Sequence, residues 1–127
     1  MSSPSDLFYT KDHEWIRFTA ADEAEIGITA YALDQLGDVV FLDLPNVEAN
    51  FKHGDSFGTV ESTKTVSDLY CPISGTVLAV NSKLSDKPES IVSDPYKSGW
   101  LIKIKFSQKD APLLTSSQYD SYTSEHA

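Results

Sequence analysis

The clearest alternation of apolar and polar positions falls near the end of the chain, where Ile102, Ile104 and Phe106 interleave with Lys103 and Lys105. A period of two predicts a strand with one buried face, and the two lysines form its wet face. An opening hairpin is predicted in the same way. The second half of Tyr9 to Phe18 forms one strand, and Ala24 to Ile28 forms its antiparallel partner across a polar turn containing Asp22 and Glu23. Thr29 to Leu36 then reads as a short helix, with Thr29 capping its N-terminus, Gly37 closing it, and Tyr31, Leu33 and Leu36 turned to the core. Val39 to Leu44 is an almost unbroken apolar run, which predicts a buried central strand stopped by Pro45. Thr76 to Val80 predicts a further strand, ended by Asn81.

The connection from Asn81 to Trp100 is rich in Ser, Asp, Lys and Pro, yet Leu84, Ile91, Val92, Tyr96 and Trp100 offer anchors, and Pro88 to Val92 can open a helical turn. Beyond Ser107 the tail is polar. Leu113, Leu114, Tyr119 and Tyr122 allow one or two short helices docked on the sheet, with the last few residues frayed. At 127 residues the chain fits a single domain. Residues 1–8 are read as an N-terminal extension and 107–127 as a helical tail.

Composition narrows the function. A hydrophobic fraction of 40% and 14 aromatic residues (6 Phe, 6 Tyr, 2 Trp) argue for a folded globule over a disordered chain. Nineteen acidic against 10 basic residues give a formal charge of -9, which opposes nucleic acid and anionic membranes as partners. No run approaches the length of a transmembrane helix, and Met1 to Leu7 lacks the apolar core of a secretory signal and the arginines of a transit peptide. A cytoplasmic protein is expected, or one of the mitochondrial matrix if the chain is a processed eukaryotic form. Cys71 is the single cysteine, so no internal disulfide can form, and it reads as a small buried hydrophobe. His13 beside Glu14 reads as a solvated strand end, and no spacing suits a metal. No paired acid, nucleophile with base, or phosphate loop stands out, so no catalytic residue is assigned.

The stretch from Gly54 to Asn81 carries the candidate chemistry. Phe57 to Val60 and Val66 to Tyr70 are β-rich runs, and the polar residues Glu61 to Thr65 between them predict a turn with Lys64 at its centre. A lysine in a turn is ordinarily a solvated surface group. The frame changes that reading: Glu61 stands three residues before Lys64, and Gly75 eleven after it, within Pro72-Ile73-Ser74-Gly75. This frame resembles the attachment site of lipoyl-carrying domains, in which the modified lysine sits at a hairpin tip. Biotin carriers share that plan, but their lysine is typically flanked by methionines, whereas Thr63 and Thr65 stand here.

The wider chain, from Tyr9 to Phe106, resembles the glycine cleavage system H-protein family. The resemblance rests on Tyr9-Thr10-Lys11-Asp12-His13-Glu14-Trp15, Ile26 to Thr29, Leu36 to Phe41, Val60 to Tyr70, Pro72 to Gly75, Ser93 to Tyr96 and Gly99 to Ile104. It departs at Ala30, where an acidic residue is common in the family, and near Gln35, where a histidine or other polar group is common. The resemblance implies a mainly β fold with short helices, a flattened barrel or sandwich of antiparallel sheets, and a carrier rather than a catalyst. It implies lipoate bound covalently as lipoyl-lysine at Lys64, attached by a lipoate ligase or lipoyl transferase. It further implies three partners in glycine catabolism and one-carbon metabolism. Glycine decarboxylase (P protein) loads an aminomethyl group, aminomethyltransferase (T protein) passes its carbon to tetrahydrofolate, and dihydrolipoyl dehydrogenase (L protein) reoxidises the dithiol. Carried over to this chain, the family's cleft includes Glu14 and Asp68, either of which can hold a protonated amine. A relay of lipoate to other complexes, a biotin carrier and an unmodified β-rich interaction module stay open as alternatives.

Overall fold

The computed structural model describes residues 3–107 and 112–125. Nine strands form two antiparallel sheets that face each other as an unclosed sandwich. The larger sheet has six strands in the order β1 (Phe8–Tyr9), β2 (Glu14–Ala20), β3 (Glu23–Ile28), β9 (Ile102–Lys105), β8 (Gly75–Val80) and β5 (Asn50–Phe51). The smaller has three, in the order β4 (Val39–Asp43), β6 (Ser56–Ser62) and β7 (Val66–Tyr70). Three short helices, α1 (Ala30–Leu36), α2 (Ser82–Asp86) and α3 (Ser116–Glu125), and a 3-10 turn at Pro88–Val92 complete it.

The opening hairpin and the alternating strand meet as expected, in neighbouring strands. Trp15 pairs with Gly27, and Ile26 with Ile102. Glycine is needed at position 27 because a Cβ there would lie 2.4 Å from the Trp15 indole carbons. The indole is fully buried and donates to Pro95 O at 2.9 Å, which anchors the connection after β8 to the sheet. Lys103 and Lys105 do face water, where they approach Glu25 and Asp22. Ile16, Ile26, Val60, Leu69, Val77 and Ile104 fill the space between the sheets.

Helix α1 begins and ends where its caps dictate. Thr29 Oγ1 accepts from Ala32 N–H at 3.2 Å, and Gly37, at φ +81°, returns its N–H to Leu33 O at 3.1 Å. The side of α1 that carries Tyr31 does not enter the core: Tyr31 is half-buried and lies 5.0 Å from the His13 ring.

Four expectations are corrected. The run from Val39 is an edge strand, not a buried central one. Val39 and Leu42 are buried, but Val40 and Phe41 are 47% and 51% exposed, because the outer face of the three-stranded sheet has no layer above it. An unbroken apolar run reads as burial on both faces, and here one face is open. Val92 is likewise no anchor, at 51% exposed, whereas Leu84 and Ile91 are buried. Tyr31 lines a cleft instead of the core. Glu14, finally, is no solvated strand end, being 2% exposed.

Among the described residues of the tail there is one helix, α3. Tyr119 stacks on Tyr9 with ring centroids 4.8 Å apart. On the same side, Asp120 accepts from the Ser3 hydroxyl at 2.8 Å, so the N-terminal segment is held against the tail. The expected fraying at residues 126 and 127 lies outside the described residues. Among those residues no helix is long and apolar enough to cross a membrane.

Candidate functional site

Strands β6 and β7 form the hairpin that presents Lys64. The turn is organised by Ser62, one of the polar residues predicted to form it, in a role that the polar pattern alone does not assign. The buried Ser62 hydroxyl accepts from the N–H groups of Lys64 (3.2 Å) and Thr65 (3.1 Å), while Ser62 N–H donates to Thr65 O at 2.8 Å. A serine hydroxyl serving the backbone two and three residues ahead takes the place of the Asn-Gly chemistry that a tight hairpin otherwise needs. Thr63 N–H donates to Asp38 O at 3.0 Å and so fixes the tip to the end of α1. Lys64 is exposed, and its stem runs past Gly37, where a Cβ would stand 3.6 Å from Lys64 Cε. The ion pairs among the described residues are those of Arg17, Lys103 and Lys105, so no carboxylate of the described residues holds the Lys64 amine.

Beside this tip a cleft of about 330 Å³ opens between α1, the Asp12–Glu14 segment and β7. Tyr31, Ala32, Gln35 and Leu36 form one wall and Ser67, Asp68 and Leu69 the other, with Asp12, His13 and Glu14 along it. Glu14 and Asp68 thus border one cleft, which Lys64 does not line although its hairpin supplies β7 to it.

Glu14 is the buried acid of this cleft. Its carboxylate accepts from Thr10 Oγ1 at 2.9 Å and from Tyr70 N–H at 3.3 Å, bridging the opening hairpin to the end of the lysine hairpin. Burial pushes its pKa up from 4.5 to about 8, with a smaller push from Asp12; the bonds from Thr10 and Tyr70 pull the other way but do not offset desolvation. At neutral pH Glu14 therefore favours its protonated, neutral form.

Asp68 contributes differently. Ser67 and Leu69 point inward, so the Asp68 side chain stands on the exposed outer face, where it accepts from Ser56 Oγ at 3.3 Å. Since Tyr70 N–H points away from β6 to Glu14, the two-residue alternation of β7 also turns the main-chain groups of Asp68 toward the cleft. Its backbone borders the cleft while its carboxylate sits at the rim.

The two remaining members of the sequence frame are separate. Glu61 is exposed on the outer face of the small sheet, in register with Phe41 and Val66. Gly75 starts β8 in the other sheet, where a Cβ would lie 2.3 Å from Lys105 O; packing of β8 on β9 accounts for the glycine.

The residues match the family described as glycine cleavage H-protein over positions 7–126. The chain belongs to the glycine cleavage H-protein family. Among curated members of this family, the glycine cleavage system H protein of Symbiobacterium thermophilum is 51% identical over 124 residues, covering 96% of each chain. That of Magnetococcus marinus is 50% identical over 125 residues, covering 96% of this chain and 88% of its own. The crystal structure of a glycine cleavage system H protein from Mycobacterium marinum superposes with a TM-score of 0.87 at 43% identity, covering 98% of both chains. The expected antiparallel β fold with short helices is therefore the fold of the H-protein family.

A second polar cluster behind the cleft was missed in the sequence. Tyr119 OH meets His13 Nδ1 at 2.8 Å and Thr29 Oγ1 at 2.7 Å, so the tail helix touches the cap of α1 directly. Burial lowers the His13 pKa, against a smaller opposing effect of Asp12, and raises that of Tyr119. In the sequence Tyr119 stood only as one of the tail's apolar anchors, with Leu113, Leu114 and Tyr122.

Proposed function

We propose that the chain is the lipoate-bearing, non-catalytic carrier of the glycine cleavage system in the cytoplasm, with lipoate joined as an amide to Lys64. The observation that carries this reading is an exposed lysine, held by no carboxylate among the described residues, at the tip of a hairpin whose second strand borders a cleft that also holds Asp12 and Glu14. The dimensions fit. Asp68 stands four residues after Lys64, at most about 13 Å along the chain, and a lipoyl-lysine side chain spans about 14 Å by standard bond lengths.

When attached, lipoate supplies a disulfide that accepts a carbon fragment and two electrons and is later reoxidised. Glycine decarboxylase, tetrahydrofolate-dependent aminomethyltransferase and dihydrolipoyl dehydrogenase are the partners that load, unload and reoxidise the carrier. Lipoate ligase or lipoyl transferase is the enzyme that modifies it. The chain's own residues protect the cargo between visits. Leu36 and Leu69 shield the arm, and Glu14 meets the terminal amine. A neutral Glu14 gives up its proton as an ammonium arrives, because the new charge offsets the desolvation that kept the acid protonated.

The test is mass spectrometry after incubation with lipoate, ATP and a lipoate ligase, run beside Lys64→Arg. One lipoyl increment mapped to Lys64 and missing from the variant is expected. An unmodified wild-type chain, or biotin taken up in its place under matched conditions, overturns the reading.

A further inference from the structure

The outer face of the small sheet carries an apolar patch next to the lysine. Phe41 and Val66 flank Glu61 in one cross-strand row, and paired residues share a face, so all three project outward together. Phe41 is 51% exposed and Val66 59%, and Val40, at the bulge in β4, is 47% exposed. Exposed β-branched and aromatic residues concentrated in one place mark a contact surface more often than scattered ones do. Three exposed carboxylates, Asp38, Asp43 and Asp68, stand around them, and a fourth, Glu61, lies within the row itself.

We propose that this patch is the docking surface for the enzyme that attaches the arm to Lys64, an enzyme whose mouth is apolar where it meets Phe41 and Val66 and carries basic groups for Glu61 between them and for the carboxylates at the rim. The inference rests on the carrier reading given above. Reach decides between possible occupants. An unmodified lysine places its amine only about 6 Å from its own Cα by standard bond lengths. The attaching enzyme must therefore close over the turn itself and cover whatever stands beside it, which is Phe41 and Val66. Partners that act on the finished arm meet its far end, about 14 Å from the same Cα, and need not bury these residues.

The tether at the tip adds to this. Ser62 and the Thr63 bond to Asp38 hold the turn in one shape, so the patch and the lysine are presented as a unit. In the covalent step the neutral amine of Lys64 attacks the acyl carbon of an ATP-activated carboxylate. An amide forms, AMP leaves, and the ammonium's protons pass to solvent. The carboxylate rim complements a basic mouth and speeds encounter.

The experiment compares wild type, the double variant Phe41→Thr/Val66→Thr and the control Leu78→Thr, whose side chain is 39% exposed on the six-stranded sheet. Threonine keeps the β preference of an exposed strand position, and thermal melts confirm that all three are folded. Lipoyl incorporation by a purified lipoate ligase with lipoate and ATP is followed by intact mass. The double variant is expected to lose at least about tenfold in kcat/KM, mainly through KM, with the control at the wild-type value; two buried apolar side chains make that scale reasonable. The double variant, lipoylated to completion over a long incubation, is then expected to accept an aminomethyl group from glycine decarboxylase at the wild-type rate. Attachment kinetics equal to wild type overturn the proposal. So does a parallel loss in both reactions, which makes the patch a general carrier interface. A wild-type chain that takes up no lipoate refutes the carrier reading instead, a result distinct from either.

Discussion

Replacing Glu14 with glutamine should make the protein progressively more stable than wild type as pH rises from 5.5 to 8. Glu14 is 2% exposed, and burial raises its pKa from 4.5 to about 8. Between those values the folded chain keeps a proton on Glu14 that the unfolded chain has lost. Stability then falls with rising pH, since the folded state binds more protons. At 1.36 kcal/mol per pKa unit, the rise corresponds to about 5 kcal/mol across the whole interval, as an order of magnitude. The stability that a protonated Glu14 provides is fully present below pH 4.5, is lost through the interval, and is gone above pH 8. Glutamine cannot ionise, so the variant lacks this loss.

Urea unfolding followed by circular dichroism, repeated on both proteins at half-unit steps, measures the difference directly. Changed hydrogen bonding to Thr10 and Tyr70 adds an offset that is the same at every pH, and all other titrations are common to both proteins. What remains is the slope of the difference, expected to approach 1.4 kcal/mol per pH unit between pH 5.5 and 8 and to flatten beyond. A difference independent of pH refutes the argument, because Glu14 is then ionised throughout, with the Thr10 and Tyr70 bonds outweighing desolvation. A slope of opposite sign refutes it more strongly.

Tyr119→Phe removes the hydroxyl shared by His13 and Thr29 and should cost about 1–2 kcal/mol, read as a lower urea midpoint; an unchanged midpoint means the cluster contributes nothing net. Gly58→Ala puts a Cβ 2.1 Å from Asp43 O, so β4 must move off β6, and a loss of about 3 kcal/mol is expected in a thermal melt. A wild-type melting temperature shows that the edge strand yields freely. Transfer of aminomethyl groups between carrier and partner enzymes should slow as salt rises from about 0.05 to 0.3 M, as screening weakens steering by a chain of charge -9. Rates insensitive to salt contradict that steering.

The parts of the fold that could be read from sequence are those set by local chemistry. Ile102 to Phe106 alternate because one face is buried, and Thr29 and Gly37 mark the ends of α1 because a cap and a left-handed closure require such residues. Lys64 at a turn was legible from the polar run between two β-rich runs. What escaped were properties assigned by neighbours distant in sequence. Val40 and Phe41 look like core residues until the strand order leaves β4 at an edge with one face open. Glu14 looks like a wet strand end until Tyr70, 56 residues away, supplies an N–H to it. The two-residue strands β1 and β5 are too short to have a period, and α2 offers one buried residue, Leu84. Among the site residues, Asp68 was placed in the cleft by resemblance, and only strand parity distinguishes its backbone from its outward side chain.

His13 and Glu14 show why adjacency in sequence misleads in this protein. Consecutive residues of a regular strand point to opposite faces, but His13 precedes β2 with φ at 68°, a left-handed conformation uncommon for a residue with a side chain. That turn is closed by His13 N–H to Thr10 O at 3.1 Å, and Thr10 N–H returns to Glu14 O at 3.0 Å. It sends the imidazole to Tyr119 of the tail and the carboxylate to Tyr70 of the lysine hairpin. His13 O also accepts from Thr29 N–H at 3.0 Å, just ahead of α1. The segment from Thr10 to Glu14 therefore touches three elements: the start of α1 and the end of β7, which border the cleft, and the tail helix behind them. The strain of a single left-handed residue, of order 1–3 kcal/mol, is offset by bonds to all three. The acidic pocket beside Lys64 is consequently a property of the whole fold, although the lysine hairpin itself is a local structure.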